Sequence, residues 1–218
     1  MESIVIFGAG GHAKSVIDVI EQEGRYRILG ILDNHKPVGT VFYGYEVLGD
    51  ESWLTASDTR IYGGFAAIGD NWTRSKVTAA ILAAQPSFTF VTAIHPRASV
   101  AKGAVIGAGS VLMAGAVVNA DTVIGEHCVI NTNASVDHDS IVGDFVNLAP
   151  NAASGGQVRI GSFSTLSLGA GVIHSVTIGE HALIGAGAVV LSDIESRSVA
   201  YGTPAKVVRY REVGECYL

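Results

Sequence analysis

The chain has 218 residues, 48% of them hydrophobic and only 16% charged, a composition too apolar for extended disorder. Fourteen basic residues against twenty acidic ones leave a net charge of −6, and between Gly103 and Ser196 only Arg159 is positive, which argues against a nucleic-acid partner. Two cysteines, no apolar run near the ~20 residues of a membrane helix, and an opening MESIVIFGAGG without the basic and apolar regions of a secretory leader predict a soluble protein with no membrane partner, of a reducing, cytoplasmic compartment.

Residues 1–92 read as alternating strand and helix. Ile4–Phe7 is a buried strand that runs into Gly8-Ala9-Gly10-Gly11-His12. Ala13, Val16, Ile17 and Ile20 then recur at i, i+3, i+4 and i+7, one face of a helix. Arg27–Leu32 is a second strand, ending in Asp33-Asn34; Ile61–Ile68 is a third, ending in Gly69-Asp70-Asn71. Val77, Ala80, Ile81 and Ala84 form another helical stripe, and Phe88–Thr92 reads as a last strand. Gly8-x-Gly10-x-x-Ala13 between a strand and a helix has the form of a phosphate-binding turn, with backbone N–H groups and a helix N-terminus facing an anion. The same glycines would equally permit close helix–strand packing. Asp33 is placed to accept from a ribose hydroxyl or a base N–H. About ninety residues hold one mononucleotide-binding half, which argues against a dehydrogenase.

From Ile94 to Val190 branched aliphatics recur every six residues, Ile94, Val100, Ile106, Leu112 and onward, and only Ser154 breaks the series. Four residues after each anchor stands a small or β-branched residue, Cys128 among them, which predicts an interior position for that thiol. One residue after many anchors stands Gly, Asn or Asp, types that tolerate positive φ, so the corner is expected there. A period of six fits neither an α-helix nor an amphipathic strand; it fits a three-sided solenoid of short parallel strands, about 27 Å long at the ~4.8 Å strand spacing. Three segments result: 1–92, a βαβ unit with a candidate phosphate-binding turn; 93–195, the solenoid; and 196–218, a tail that leaves the six-residue register.

FGAGGHAK (7–14), ILDN (31–34), AAIGDNWTR (66–74), IHPRA (94–98), VDHD (136–139) and YGTPAKVVR (201–209) occur together along nearly the whole chain. In this combination the sequence resembles the sialic-acid O-acetyltransferase-like sugar acyltransferases, notably the N-acetyltransferases of nucleotide-linked 4-amino-4,6-dideoxy sugars in bacterial glycan biosynthesis. The resemblance implies a Rossmann-like βαβ domain followed by a left-handed parallel β-helix. It also implies a homotrimer with active sites between subunits, acetyl-CoA as co-substrate in clefts between neighbouring helices, and no metal. It further implies that Gly10, Gly11 and His12 approach the diphosphate, that Asp33 and Asn34 hold the base, and that Gly69 lines the same pocket.

Acetyl transfer from a thioester to an amine needs a base near neutral pH, and histidine suits that task best. His138 stands between Asp137 and Asp139, and a carboxylate on one ring nitrogen would raise the basicity of the other. The family's base falls on His138 and its acidic neighbour on Asp139. His174 lies two coils away, too far to share the proton transfer, and His127 and His181 are expected to face solvent. A backbone N–H in Ser154-Gly155-Gly156, one coil from His138, is a candidate oxyanion donor. Many relatives carry a second His nine residues after the base; here that position is Asn147. Leu168 and Ala186 match positions that meet CoA through the main chain, and Lys206, with Arg209 and Arg211, is placed to meet its phosphates. The expected reaction is N-acetylation by acetyl-CoA, with a sugar O-acetyltransferase or a non-catalytic sugar-binding solenoid as alternatives. A zinc enzyme on this repeat would need three converging histidines, and their spacing is absent.

Overall fold

The structure is a computed structural model that describes residues 1–216. The chain divides into two compact units, Met1–Pro96 and Arg97 onward. The division falls four residues later than the sequence suggests because Ala93–Ile94 packs on the first helix, where Glu23 accepts a hydrogen bond from the Ile94 backbone.

The N-terminal unit runs β1 (Glu2–Phe7), α1 (Gly11–Glu23), β2 (Tyr26–Leu32), β3 (Val41–Phe42), β4 (Tyr45–Gly49), α2 (Trp53–Ala56), β5 (Gly63–Ala66) and α3 (Asn71–Ala84). The sheet order is β3-β4-β2-β1-β5, parallel except for the β3 edge. Ile4–Phe7 is buried on both faces, as a central parallel strand requires. The α1 stripe is as read: Ala13, Val16, Ile17 and Ile20 are all buried, and the helix ends at Gly24 in the left-handed conformation. In α3 the buried face is Asn71, Arg74, Thr78 and Ile81, while Ala80 and Ala84 point to solvent. A buried arginine carries that face, and no apolar period could reveal it. Phe88–Thr92 forms no continuous strand; only Phe90 bridges Gly64, while the Phe88 ring stands edge-on to Phe7 and Phe90 in the core.

The second unit is a left-handed parallel β-helix. Two-residue strands end at each aliphatic anchor and stack eighteen residues apart on three faces. The first face carries Val100, Val118, Val136, Ser154, Val172 and Val190; the second carries Ile106, Ile124, Val142, Ile160 and Ile178; the third carries Leu112, Ile130, Leu148, Leu166 and Ile184. Cys128 is fully buried, its N–H held by Ser110 Oγ at 2.8 Å.

Positive φ falls three residues after the anchor, not one. Asp121, Asn133, Asp139, Phe145, Gln157 and Phe163 all stand there, at φ between 57° and 61°. The glycine after the anchor answers a different need, close stacking of corners. A Cβ on Gly107 would lie 2.4 Å from the backbone of Gly125, and one on Gly161 2.5 Å from that of Glu180.

The same three-residue offset corrects the expectation for His127 and His181. Neither imidazole stands out in solvent. His127, Phe145, Phe163 and His181 form one column of parallel rings at the corner from second to third face, with centroids 4.9, 5.0 and 4.8 Å apart. His127 is 4% exposed. The signal was the recurrence of rings at eighteen-residue spacing.

After Ile184 the third face continues with Ser198–Tyr201, paired Leu183 to Val199, a step of sixteen residues. Lys206–Tyr210 then returns antiparallel on Ser198–Tyr201, so the segment read as a tail completes this sheet.

Candidate active site

In the N-terminal unit the ends of β1, β2 and β5 surround a cavity of about 410 Å³ lined by Gly8–His12, Asp33, Asn34, Glu51 and Gly69. Gly8 needs its freedom locally: its φ is +98°, and a Cβ would meet Ile68 at 3.2 Å. Gly10 and Gly11 do not, since a Cβ on either would meet nothing within 4 Å. Positive φ and the close approach of Ala67–Ile68 therefore explain Gly8, whereas no packing contact explains the other two, which leave the N-terminus of α1 open to an incoming group. That terminus has no side-chain cap and no acidic residue in its first turn, so its amides are available to an anion.

His12 lies inside this cavity, pulled down to a pKa of about 4, first by burial and then by the Arg74 charge. Arg74 is 1% exposed and donates to the carbonyls of Ile68 (2.6 Å) and Gly69 (3.0 Å), fixing the loop that closes the cavity floor. Asp33 is drawn into the scaffold: Oδ2 accepts from Ala9 N–H at 2.8 Å, and Oδ1 from His35 and Lys36 N–H at 2.9 Å each. Asn34 donates from Nδ2 to Glu51 Oε1 at 3.1 Å.

In the β-helix, His138 stands at the corner from first to second face. Its Nδ1 is 2.7 Å from Asp139 Oδ2, and its backbone N–H donates to Asp137 Oδ1 at 2.8 Å, which also accepts from Asn119. Asp139 first, and Asp137 second, raise the imidazole pKa above its ordinary value. Those hydrogen bonds in turn hold Asp137 below the usual carboxylate range. The ring lies over Gly156, where a Cβ would come within 2.7 Å of both Cε1 and Nε2. Nε2 therefore points along an open hollow lined by Gly155, Gly156, Gln157, Ile173 and His174. Gly155 N–H is spent on Val172 O at 2.8 Å, whereas Gly156 N–H has no acceptor among the described residues. Among those residues, no group of three or more His, Cys, Asp or Glu could hold a metal ion.

Residues 3–81 match the family model described as the PglD N-terminal domain. A crystal structure of PerB from Caulobacter crescentus, solved with CoA and GDP-perosamine, is 37% identical; the match covers 96% of this chain and 98% of that one, with a TM-score of 0.86. The chain belongs to the nucleotide-linked 4-amino-sugar N-acetyltransferase family. Another member, the acetyltransferase domain of PglB from Neisseria gonorrhoeae with acetyl coenzyme A, is 35% identical over 95% of this chain and 99% of that one, with a TM-score of 0.87. The UDP-N-acetylbacillosamine N-acetyltransferase of Bacillus subtilis is 34% identical over 123 residues, 52% of each chain. The chain thus spans about half the length of that curated relative, and 24% of a mimivirus protein 31% identical over 123 residues.

The remaining residues that family membership suggests are not gathered around His138 within one chain. Leu168 (57% exposed) and Ala186 lie one above the other at the corner from third to first face. Asn147 is buried on the third face, and Lys206 opens the exposed final strand. Only Gly156 shares the hollow with His138. Glu51 and Arg74 were missed from sequence. Glu51 follows β4, a short strand whose hairpin turns at Tyr43-Gly44 without an Asn-Gly signal. Arg74 was in view within the GDNWTR motif, without a partner to suggest its task.

Proposed function

We propose that this protein moves the acetyl group of acetyl-CoA to the 4-amino group of a nucleotide-linked 4-amino-4,6-dideoxy sugar, with His138 as general base. The observation that carries the reading is the Asp139–His138 pair laid over Gly156, its Nε2 turned into an open hollow. The amine attacks the thioester carbonyl, and the new C–N bond forms as Nε2 takes the surplus proton. The tetrahedral oxyanion is met by an N–H such as that of Gly156; its collapse breaks the C–S bond, and the proton passes from Nε2 to the departing thiolate sulfur. Asp139 holds Nδ1–H and stabilises the imidazolium that forms in between.

Gly10, Gly11 and His12 receive the diphosphate, with Gly69 in the same wall. Asp33 shapes the turn, and Asn34 stands beside the base. Leu168, Ala186, Asn147 and Lys206 meet CoA from a neighbouring chain of a homotrimer. An exposed aliphatic column on the second face, Val105, Val123 and Ile141, supports a partner chain there. The relatives solved with CoA and acetyl coenzyme A support the donor, and the one solved with GDP-perosamine supports a nucleotide-sugar acceptor.

The test is turnover. Purified protein, acetyl-CoA and a panel of UDP-, dTDP- and GDP-linked 4-amino-4,6-dideoxy sugars should release free thiol with one member, and His138→Ala should cut that rate about 10²- to 10⁴-fold. Thiol release with none, or an unimpaired variant, refutes the reading. Product mass distinguishes an N-acetyl from an O-acetyl product.

A further inference from the structure

The cavity at the ends of β1, β2 and β5 contains a side chain that the reaction above leaves without a task, Glu51, bonded to the Asn34 that stands beside the base. Asp33, expected with Asn34 to hold the base, accepts the amides of Ala9, His35 and Lys36 through its two carboxylate oxygens. Beside it, the Asn34 amide and the Glu51 carboxylate both line the cavity. Asn34 Nδ2 donates to Glu51 Oε1 at 3.1 Å, and Oε2 has no hydrogen-bond partner among the described residues. Read in order, the pair presents a donor, an acceptor and a second acceptor: the other Asn34 N–H, then Oε1, then Oε2.

Resting on the nucleotide-sugar reading, we propose that Glu51, held by Asn34, selects guanine, so that the acceptor is a GDP-linked sugar. Guanine presents the complementary order along its Watson–Crick edge, with O6 accepting and N1–H and N2–H donating. O6 would take the Asn34 N–H, and the two adjacent donors would meet the two oxygens of Glu51, a charge-assisted bidentate pair. Uracil and thymine match only the first two places. Their O2 carbonyl would face Oε2, lone pair against lone pair, with both oxygens stripped of water. Cytosine and adenine present donors and acceptors in the wrong order at the first two places. The diphosphate end of the site does not distinguish nucleotides, so discrimination falls to this pair.

The test uses bare nucleotides, independent of catalysis. Calorimetric titration of the full chain with GDP, IDP, UDP and dTDP should show GDP bound about 10- to 100-fold more tightly than UDP or dTDP. IDP, which lacks only the N2 amine, should bind about 10-fold more weakly than GDP, a comparison that needs no variant. Glu51→Gln should remove or reverse the gap between GDP and IDP and bring UDP and dTDP closer to GDP, because an amide N–H at the Oε2 position repels the guanine N2 amine and donates to a pyrimidine O2. UDP or dTDP bound as tightly as GDP, IDP equal to GDP, or a gap that survives Glu51→Gln would overturn the assignment while leaving the acetyltransferase reading intact. Binding of none of the four would overturn the assignment and the nucleotide-sugar reading with it.

Discussion

Gly156→Ala isolates the position of the base from its chemistry. The new Cβ would lie 2.7 Å from both Cε1 and Nε2 of His138, whereas ordinary carbon contacts are about 3.5–4.0 Å, so the ring must retreat by about 1 Å. His138 can do so, since its side chain is 54% exposed and only its outer edge is struck. Gly156 is not among the positive-φ residues, so alanine fits its backbone, and the Gly156 N–H is retained. Stability should therefore stay within about 1 kcal/mol of wild type, the usual range for a tolerated Gly→Ala change. A displacement of about 1 Å at the reacting centre costs on the order of 10²-fold in rate. The assay is thiol release from acetyl-CoA at saturating nucleotide sugar, paired with thermal unfolding. A kcat about 100-fold down with an unchanged Tm supports a base positioned by the bare glycine. A wild-type kcat, or a Tm that collapses along with activity, would refute the reasoning.

Asp139 raises the pKa of His138, and the neutral form is the base, so activity should rise with pH on a limb above the ordinary value of about 6.5. Asp139→Asn should move that limb to lower pH and lower its plateau; a pH–kcat profile with an unmoved limb counts against the pairing. His12 is depressed to about 4 in the folded chain from 6.5, so between those values the unfolded chain binds a proton that the native chain refuses. Stability should accordingly fall as pH drops from 6.5 towards 4, and His12→Gln should flatten that slope in pH-dependent thermal unfolding. Phe163→Ala removes the ring between Phe145 and His181 and should cost about 2–4 kcal/mol. Its kcat should remain unchanged, because the column stands at a different corner from His138; a rate loss without a stability loss would be the contrary result.

The hexad series made the β-helix legible because each coil repeats the same demand, an aliphatic anchor and a small interior residue, until only one geometry satisfies all of them. The α1 stripe was legible for the same reason. Features set by single partners were not. The buried face of α3 depends on Arg74 reaching two carbonyls, and the β3–β4 hairpin is too short to show a period. The contact between His138 and Asp139 was legible because the two residues are adjacent in the chain. That the ring would lie over Gly156, eighteen residues on, required the coil register and the corner geometry together. Asp33 is the instructive case. An acid at a strand end suggests ligand binding; here it also accepts three nearby amides, a local task that the sequence does not show, and the carboxylate oxygen beside it without a partner among the described residues belongs to Glu51.

The sixteen-residue step from Leu183 to Val199 has a bearing on self-association. A stack of identical coils is, in principle, a fibre: its last rung exposes the same unpaired backbone that every earlier rung offered to the next. Shortening the final step on the third face breaks the spacing that a further coil, or another molecule's first coil, would have to match. Lys206–Tyr210 then lies along the outermost strand in the opposite direction, with every residue exposed and with Lys206 and Arg209 on it. Removing that return strand should therefore leave the coils intact and make the protein prone to end-to-end polymerisation.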